Sequence, residues 1–293
     1  MQRIALFVAT NLAILVVLGI IMTLLEPWLV AQGINVNHAT ILIFALMFGM
    51  GGAVISLLMS KRMALRGTGA KIITQPSSQT ERWLLETVQR QAKEAGIGMP
   101  DVAIYQAAEP NAFATGASRN KALVAVSTGL LQHMQSNEVE AVLGHEVAHI
   151  ANGDMITLTL LQGVLNTFVL ILSRVLGQMI DRVVFKSNRM YGPGYFISVI
   201  VLQIVLGILA SIIVMAFSRW REFRADAGGA RLAGRNNMIA ALQRLQKASQ
   251  PSQLPESVEA FGIRGRVGTG LRALLMSHPP LEQRIAALHR GDV

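Results

Sequence analysis

Four stretches of this chain are apolar for about the 20 residues that a helix needs to cross a bilayer, and no other feature constrains the fold as strongly. They are Ile4–Leu25, Ala39–Met59, Met155–Ile180 and Tyr195–Phe217. Composition agrees, because 52% of the 293 residues are hydrophobic and only 15% are charged, too apolar for an ordinary water-soluble domain. The first stretch follows a single early charge, Arg3, and has no small-residue cleavage site behind a short apolar core, so it reads as a retained anchor.

Charge orients the first pair. Glu26 to His38 carries no Lys or Arg, whereas Lys61, Arg62, Arg66 and Lys71 follow the second stretch. Basic residues stay on the cytoplasmic side, so the first pair forms a hairpin with both ends cytoplasmic. The second pair is less clear. Two full crossings would place Asp181 to Gly194 outside, yet Arg182, Lys186 and Arg189 lie there against the usual bias. The alternatives are partial entry into the bilayer or a buried helical pair, and each returns Arg219 to the cytoplasmic side.

Between the hairpins, polarity is that of a soluble domain. Ser78 with Glu81 predicts a capping box and a helix running to Gly96, with Leu84, Leu85, Val88 and Ala92 on one face. Val102–Gln106, Ala112–Thr115 and Ala122–Ser127 read as short strands of a small antiparallel sheet. Asn137 with Glu140 predicts a second cap, opening a helix that ends near Asn152 and Gly153. Beyond Arg219, helices are expected around Ala225–Ala233 and Met238–Ala248, then a loop from Pro251 to Gly270 and a last helix from Pro279 or Pro280. The resulting divisions are 1–60, 61–154, 155–218 and 219–293.

The second of these helices carries the chemistry. His145 and His149 are four apart, so a helix directs both imidazoles at one point, as a metal requires. Glu146 beside them could act as general base on a water. With no cysteine in the chain, any metal must use His, Asp or Glu. A catalytic zinc takes three protein ligands and keeps one position open. Glu222 and Asp226, again four apart, could supply the third ligand and a hydrogen-bond acceptor for a ligand His. Equally, both could sit on a solvated face paired with Arg219, Arg221 or Arg224. Asp154 could support the His145–His149 helix or cap the helix beginning at Met155. His38, His133 and His289 have no ligand spacing. The net charge of +9 comes without a basic run interleaved with aromatics, so membrane-flanking charge explains it better than nucleic-acid binding.

Gly144-His145-Glu146-Val147-Ala148-His149-Ile150 together with Arg221-Glu222-Phe223-Arg224-Ala225-Asp226 resembles the HtpX family of bacterial membrane proteases, relatives of the CAAX-prenyl protease and mitochondrial stress-protease group. The likeness spans nearly the whole chain. It implies a mainly α membrane protein with four transmembrane or partly embedded helices and a cytoplasmic α+β catalytic domain of zincin type. One zinc per chain would be held by His145, His149 and Glu222, with Glu146 as acid/base and Asp226 hydrogen-bonded to His145. Pro110 to Ala114 resembles the edge strand along which such proteases align substrate, which assigns Asn111, Ala112, Phe113 and Ala114 to that role. Ser277-His278-Pro279-Pro280, with Arg284 beyond, resembles a C-terminal motif in which His278 stabilises an oxyanion. Implied partners are the lipid bilayer, polypeptide substrates (membrane proteins above all) and other membrane quality-control proteases. The implied location is the bacterial inner membrane, where the enzyme removes damaged proteins under stress.

Two other classes compete. A protease with its metal inside the bilayer would need the His145–His149 segment within a span, but Glu138, Glu140, Asn152 and Asp154 flank it closely. A membrane scaffold or transporter would carry the motif by accident, and Glu146→Gln separates that from an enzyme.

Overall fold

The computed structural model describes residues 46–187, 189, 191–248 and 274–291, with isolated positions 20, 23, 24 and 43. The stretch Ile4–Leu25, the first part of Ala39–Met59 and the loop Pro251–Gly270 therefore lie outside the described residues, apart from those isolated positions. Chain contacts separate two compact units, residues 1–55 with 159–214 and residues 56–158 with 215–293.

In the first unit, a π-helical turn (Leu46–Gly51) leads into α1 (Gly52–Thr68), which from Ser56 onward belongs to the second unit. Two long helices follow in the chain, α5 (Asp154–Val183) and α6 (Pro193–Ala233); both extend beyond this unit, and both are long and apolar enough to cross a membrane. Along α6, Ile197, Ile200, Val201, Ile204, Val205, Ile208, Leu209 and Ile213 are each 50–60% exposed. A contiguous apolar face of this size is untenable in water and natural in lipid. Small residues let the helices approach: a Cβ on Gly163 would stand 3.0 Å from Ala53 Cβ, and one on Gly49 would stand 2.3 Å from Thr167 Oγ1. The Asp181–Gly194 connection closes on the buried Asp181 carboxylate, which accepts the Gly192 N–H at 3.0 Å.

The second unit is built on a four-stranded sheet of β1 (Lys71–Ile72), β2 (Asp101–Tyr105), β3 (Ala112–Thr115) and β4 (Leu123–Ser127), in the order β1-β2-β4-β3. The sheet is mixed, which corrects the antiparallel expectation: β2 and β4 pair in parallel, and only the outer pairs are antiparallel. Burial explains the order. Every residue of β4 is buried, and a strand covered on both faces belongs inside a sheet. β3, only partly buried, takes the edge.

One sheet face, with Val102, Val124, Val126 and Ala112, joins the main core with Leu84 and Val88 of α2 (Gln79–Glu94) and Leu143, Val147 and Ile150 of α4 (Ser136–Asn152). The other face gathers Ala103, Tyr105, Leu123 and Ala125 against Leu65 and Phe113. A short α3 (Thr128–His133) precedes α4, while α7 (Arg235–Ala248) and α8 (Leu281–Arg290) complete the unit.

Local signals account for the helix ends. Ser78 Oγ accepts the Glu81 N–H at 3.1 Å, and the α2 exit turns at Gly96 with φ +67. The cap of α4 differs from expectation. Glu138, not Glu140, reaches back, accepting the Gln135 N–H at 2.8 Å, because Glu138 is buried and held by Arg244 whereas Glu140 pairs with Arg90. Gly153, at φ +67, ends α4 in the left-handed conformation. The separate helix expected at Ala225 is instead the continuation of α6, since nothing from Phe217 to Ala225 breaks a helix and the first breaker, Gly234, follows Ala233.

Candidate metal centre

All the polar residues that the sequence pointed to around His145 lie in the second unit. α4 presents His145 and His149 on one face, and α6 crosses that helix with unusually little separation. A Cβ on Gly228 would stand 2.4 Å from Ala148 Cβ, and one on Gly229 would stand 3.0 Å from His145 N. Gly144 faces Gly229 from the other side at 3.3 Å. The crossing thus consists of bare backbone, and it brings Glu222, two turns earlier on α6, against the two imidazoles.

His145 Nε2 and His149 Nε2 are 3.1 Å apart. The Glu222 carboxylate stands 3.2 Å from His149 Nε2 and 3.6 Å from His145 Nε2. The far ring nitrogens face acids: His149 Nδ1 is 2.7 Å from Asp154, and His145 Nδ1 is 3.0 Å from Asp226. With each Nδ1 proton directed to a carboxylate, both Nε2 atoms present lone pairs to the same point.

This arrangement fits a metal. Two lone pairs facing one point repel unless a proton or a metal ion lies between them, and the buried Glu222 carboxylate brings its negative charge to the same point. A tetrahedral ion with bonds of about 2.0–2.1 Å sets its ligand atoms about 3.3–3.4 Å apart, close to the 3.1, 3.2 and 3.6 Å found here. Among the described residues, His145, His149 and Glu222 are the group of potential ligands that converges in this way.

The electrostatics are those of a tightly held acidic centre. Burial alone would disfavour charge on His145, yet Asp226 and Glu222 raise its pKa to about 9. Burial likewise opposes the Glu222 carboxylate, but His278 and Arg284 hold it well below the usual carboxylate range. Arg284, fully buried, donates to Asp226 through Nε at 2.8 Å and Nη2 at 2.6 Å, and its Nη1 lies 3.3 Å from Glu222. Breaking a buried pair of this kind costs about 3–5 kcal/mol. His278 Nδ1 is 2.7 Å from Glu222 Oε2, and its side chain is 20% exposed.

The remaining sequence expectations find their places. Glu146 is buried on α4 beside His145. Asp154 is the first residue of α5 and turns to His149 rather than capping its own helix. Glu222 and Asp226 are not on a solvated face; both are buried. β3 lies against α4, with its outer edge unpaired among the described residues, and Asn111 leads into it, its N–H donating to Ser127 Oγ at 2.9 Å. Sequence reasoning missed Gly228 and Gly229, although glycines inside a helix cost about 1 kcal/mol each and so call for a packing reason. It also missed Tyr105, whose buried hydroxyl is raised to about 12 by burial and then by the Glu146 charge.

A buried HExxH helix completed by a glutamate from a second helix, in a chain whose long helices expose wide apolar faces, defines a membrane zinc metallopeptidase. The chain belongs to peptidase family M48, whose sequence profile matches residues 78–291. It is 62% identical over 290 residues to Protease HtpX of Thioalkalivibrio sulfidiphilus, covering 98% of each chain. Identity to Protease HtpX of Alkalilimnicola ehrlichii is 58% over 296 positions, covering 99% of this chain and 98% of that one. In structure it is similar to Ste24p of S. mikatae, with a TM-score of 0.58 at 16% identity, covering 92% of this chain and 66% of that one. The protein is therefore a zinc-dependent endopeptidase of a membrane, and its substrates are polypeptides.

Proposed function

We propose that this enzyme cleaves membrane proteins at the cytoplasmic face of a bacterial inner membrane, removing damaged chains alongside other quality-control proteases. The observation that carries the reading is the distribution of ligands. His145 and His149 lie on α4, which packs in the water-soluble unit, whereas Glu222 lies on α6 only five residues beyond the apolar stretch that ends at Phe217. The short tether keeps the metal close to the bilayer surface. Four crossings, with residues 61–154 and 219–293 cytoplasmic, follow from the apolar stretches and the basic residues Lys61, Arg62 and Arg66.

His145, His149 and Glu222 would hold the zinc, which when bound would supply Lewis acidity for the scissile carbonyl and lower the pKa of water to about 7. Glu146 takes the proton from the attacking water and delivers it to the leaving nitrogen. Asp226 and Asp154 fix the tautomer of the two ligand imidazoles, and Arg284 holds Asp226 in place. An extended substrate adds to the free edge of β3 along Asn111, Ala112, Phe113 and Ala114, gaining main-chain hydrogen bonds that hold it straight across α4. Doubly protonated, with Nδ1–H toward Glu222, His278 would donate Nε2–H to the developing oxyanion.

Zinc stoichiometry in two variants tests the ligand set. Glu222→Ala is expected to lose zinc, while Asp226→Ala keeps it with weaker affinity, by about 10–100-fold. Full zinc in Glu222→Ala with loss in Asp226→Ala would exchange the two roles. Equal cleavage of soluble unfolded chains and of membrane proteins would remove the substrate preference.

A further inference from the structure

The reading of His278 as an oxyanion donor raises the question of what holds it there. Residues 274–278 are not held by burial: Leu274 and Leu275 are 42% and 47% exposed, and the first buried residue of the segment is Pro279. Downstream, Pro279 and Pro280 restrict the backbone, and α8 is fixed through the ion pair of Arg284 with Asp226. Upstream, the described contact is made by one side chain. Arg219 Nη1 donates to the carbonyl of Leu274 at 3.0 Å and to that of Met276 at 2.7 Å. Met276 is two residues before His278, and Arg219 is three residues before Glu222 on α6. One turn of α6 therefore holds both the metal-ligating carboxylate and the clamp on the segment that crosses it.

We infer that Arg219 is a positioning residue for the reaction, clamping 274–276 so that His278 stands beside Glu222 when the carbonyl is attacked. The inference rests on the oxyanion reading of His278. Both bonds come from a single nitrogen, so what matters is one cationic donor at the end of a long side chain. Lysine can supply that, and methionine, of similar length, cannot. Substrate adds along β3, not along this segment, so the loss falls on turnover and not on binding.

The test uses the full-length zinc-loaded protein and the variants R219M, R219K, H278A and R219M/H278A, with kcat, KM, zinc content and thermal unfolding measured for each. R219M is expected to lower kcat about 10- to 100-fold, with KM, zinc content and Tm unchanged, and R219K to recover most of it. The double variant should be no slower than H278A, since Arg219 acts through His278. Losses that multiply in the double variant overturn the Arg219 inference while leaving His278 its role. Wild-type turnover in H278A overturns the oxyanion reading and the inference with it. A fall in zinc content or Tm in R219M makes Arg219 a structural residue and also overturns the inference.

Discussion

His145 shows how a metal site stores stability of its own in the protein without metal. Its pKa in the folded chain is raised from 6.5 to about 9 by the acids around it, against the opposing effect of burial. The folded state therefore binds this proton more tightly than the unfolded state does. The resulting stability is fully present below about pH 6.5 and is lost as pH rises through about 9. Metal-stripped protein in a fixed detergent should accordingly lose thermal stability from this group between those values. Zinc needs the neutral imidazole, so its affinity should rise across the same window. A flat or rising melting profile for the stripped protein would show that Asp226 and Glu222 do not hold the proton as described. Individual residues of this kind were the most legible part of the chain. His145, Glu146 and His149 declare themselves by spacing alone. Glu222 needed a likeness to known sequences, because acids four apart beside Arg219, Arg221 and Arg224 fit a solvated face just as well. The buried pairing of Arg284 with Asp226 joins residues 58 apart, a contact that no local pattern reports.

At the scale of elements, α4 and α6 matter most, and their crossing decides whether the site exists. Gly228→Ala puts a methyl 2.4 Å from Ala148 Cβ, so the helices must separate. Overpacking of this sort costs about 1–3 kcal/mol, and moving Glu222 from the imidazoles should weaken zinc binding. Gly207→Ala, with nothing within 4 Å of the added methyl, is the matched control and should leave zinc affinity unchanged. Equal zinc affinity in both variants, measured by competition with a chelator, would remove the close crossing from the account. Most elements were readable from local signals: α2 from its Ser78 cap and Gly96 exit, β3 and the end of α4 within a residue, and α8 from Pro279 and Pro280. What was not readable is non-local. β-Branched residues bracketed by turn formers mark β2 and β4 as strands but say nothing of their relative direction, which is set by the parallel pairing of residues more than 20 positions apart. The join between the apolar stretch and the Glu222 helix was invisible because a change of polarity looks like a boundary, whereas α6 runs through it unbroken.

For the molecule as a whole, the proposal of four crossings is tested by the side on which the Asp181–Gly194 connection lies. Arg182, Lys186 and Arg189 argue for the cytoplasm, and the length and apolar faces of α5 and α6 argue for two full crossings. The absence of native cysteine makes the experiment direct. A single cysteine at Lys186 should react with a membrane-impermeant thiol reagent from outside intact inner-membrane vesicles of native orientation, and one at Lys61 should react only after permeabilisation. Labelling of both only after permeabilisation would mean that the second hairpin does not cross fully. The central claim is that Glu146 performs proton transfer at a zinc centre that it does not help to hold. The most direct measurement compares freshly zinc-loaded wild type with Glu146→Gln for zinc content and peptide hydrolysis in the same preparation. Our account predicts one zinc per chain in both, with hydrolysis lower by about 10²–10⁴-fold in the variant; hydrolysis at the wild-type rate, or loss of zinc together with activity, would contradict it.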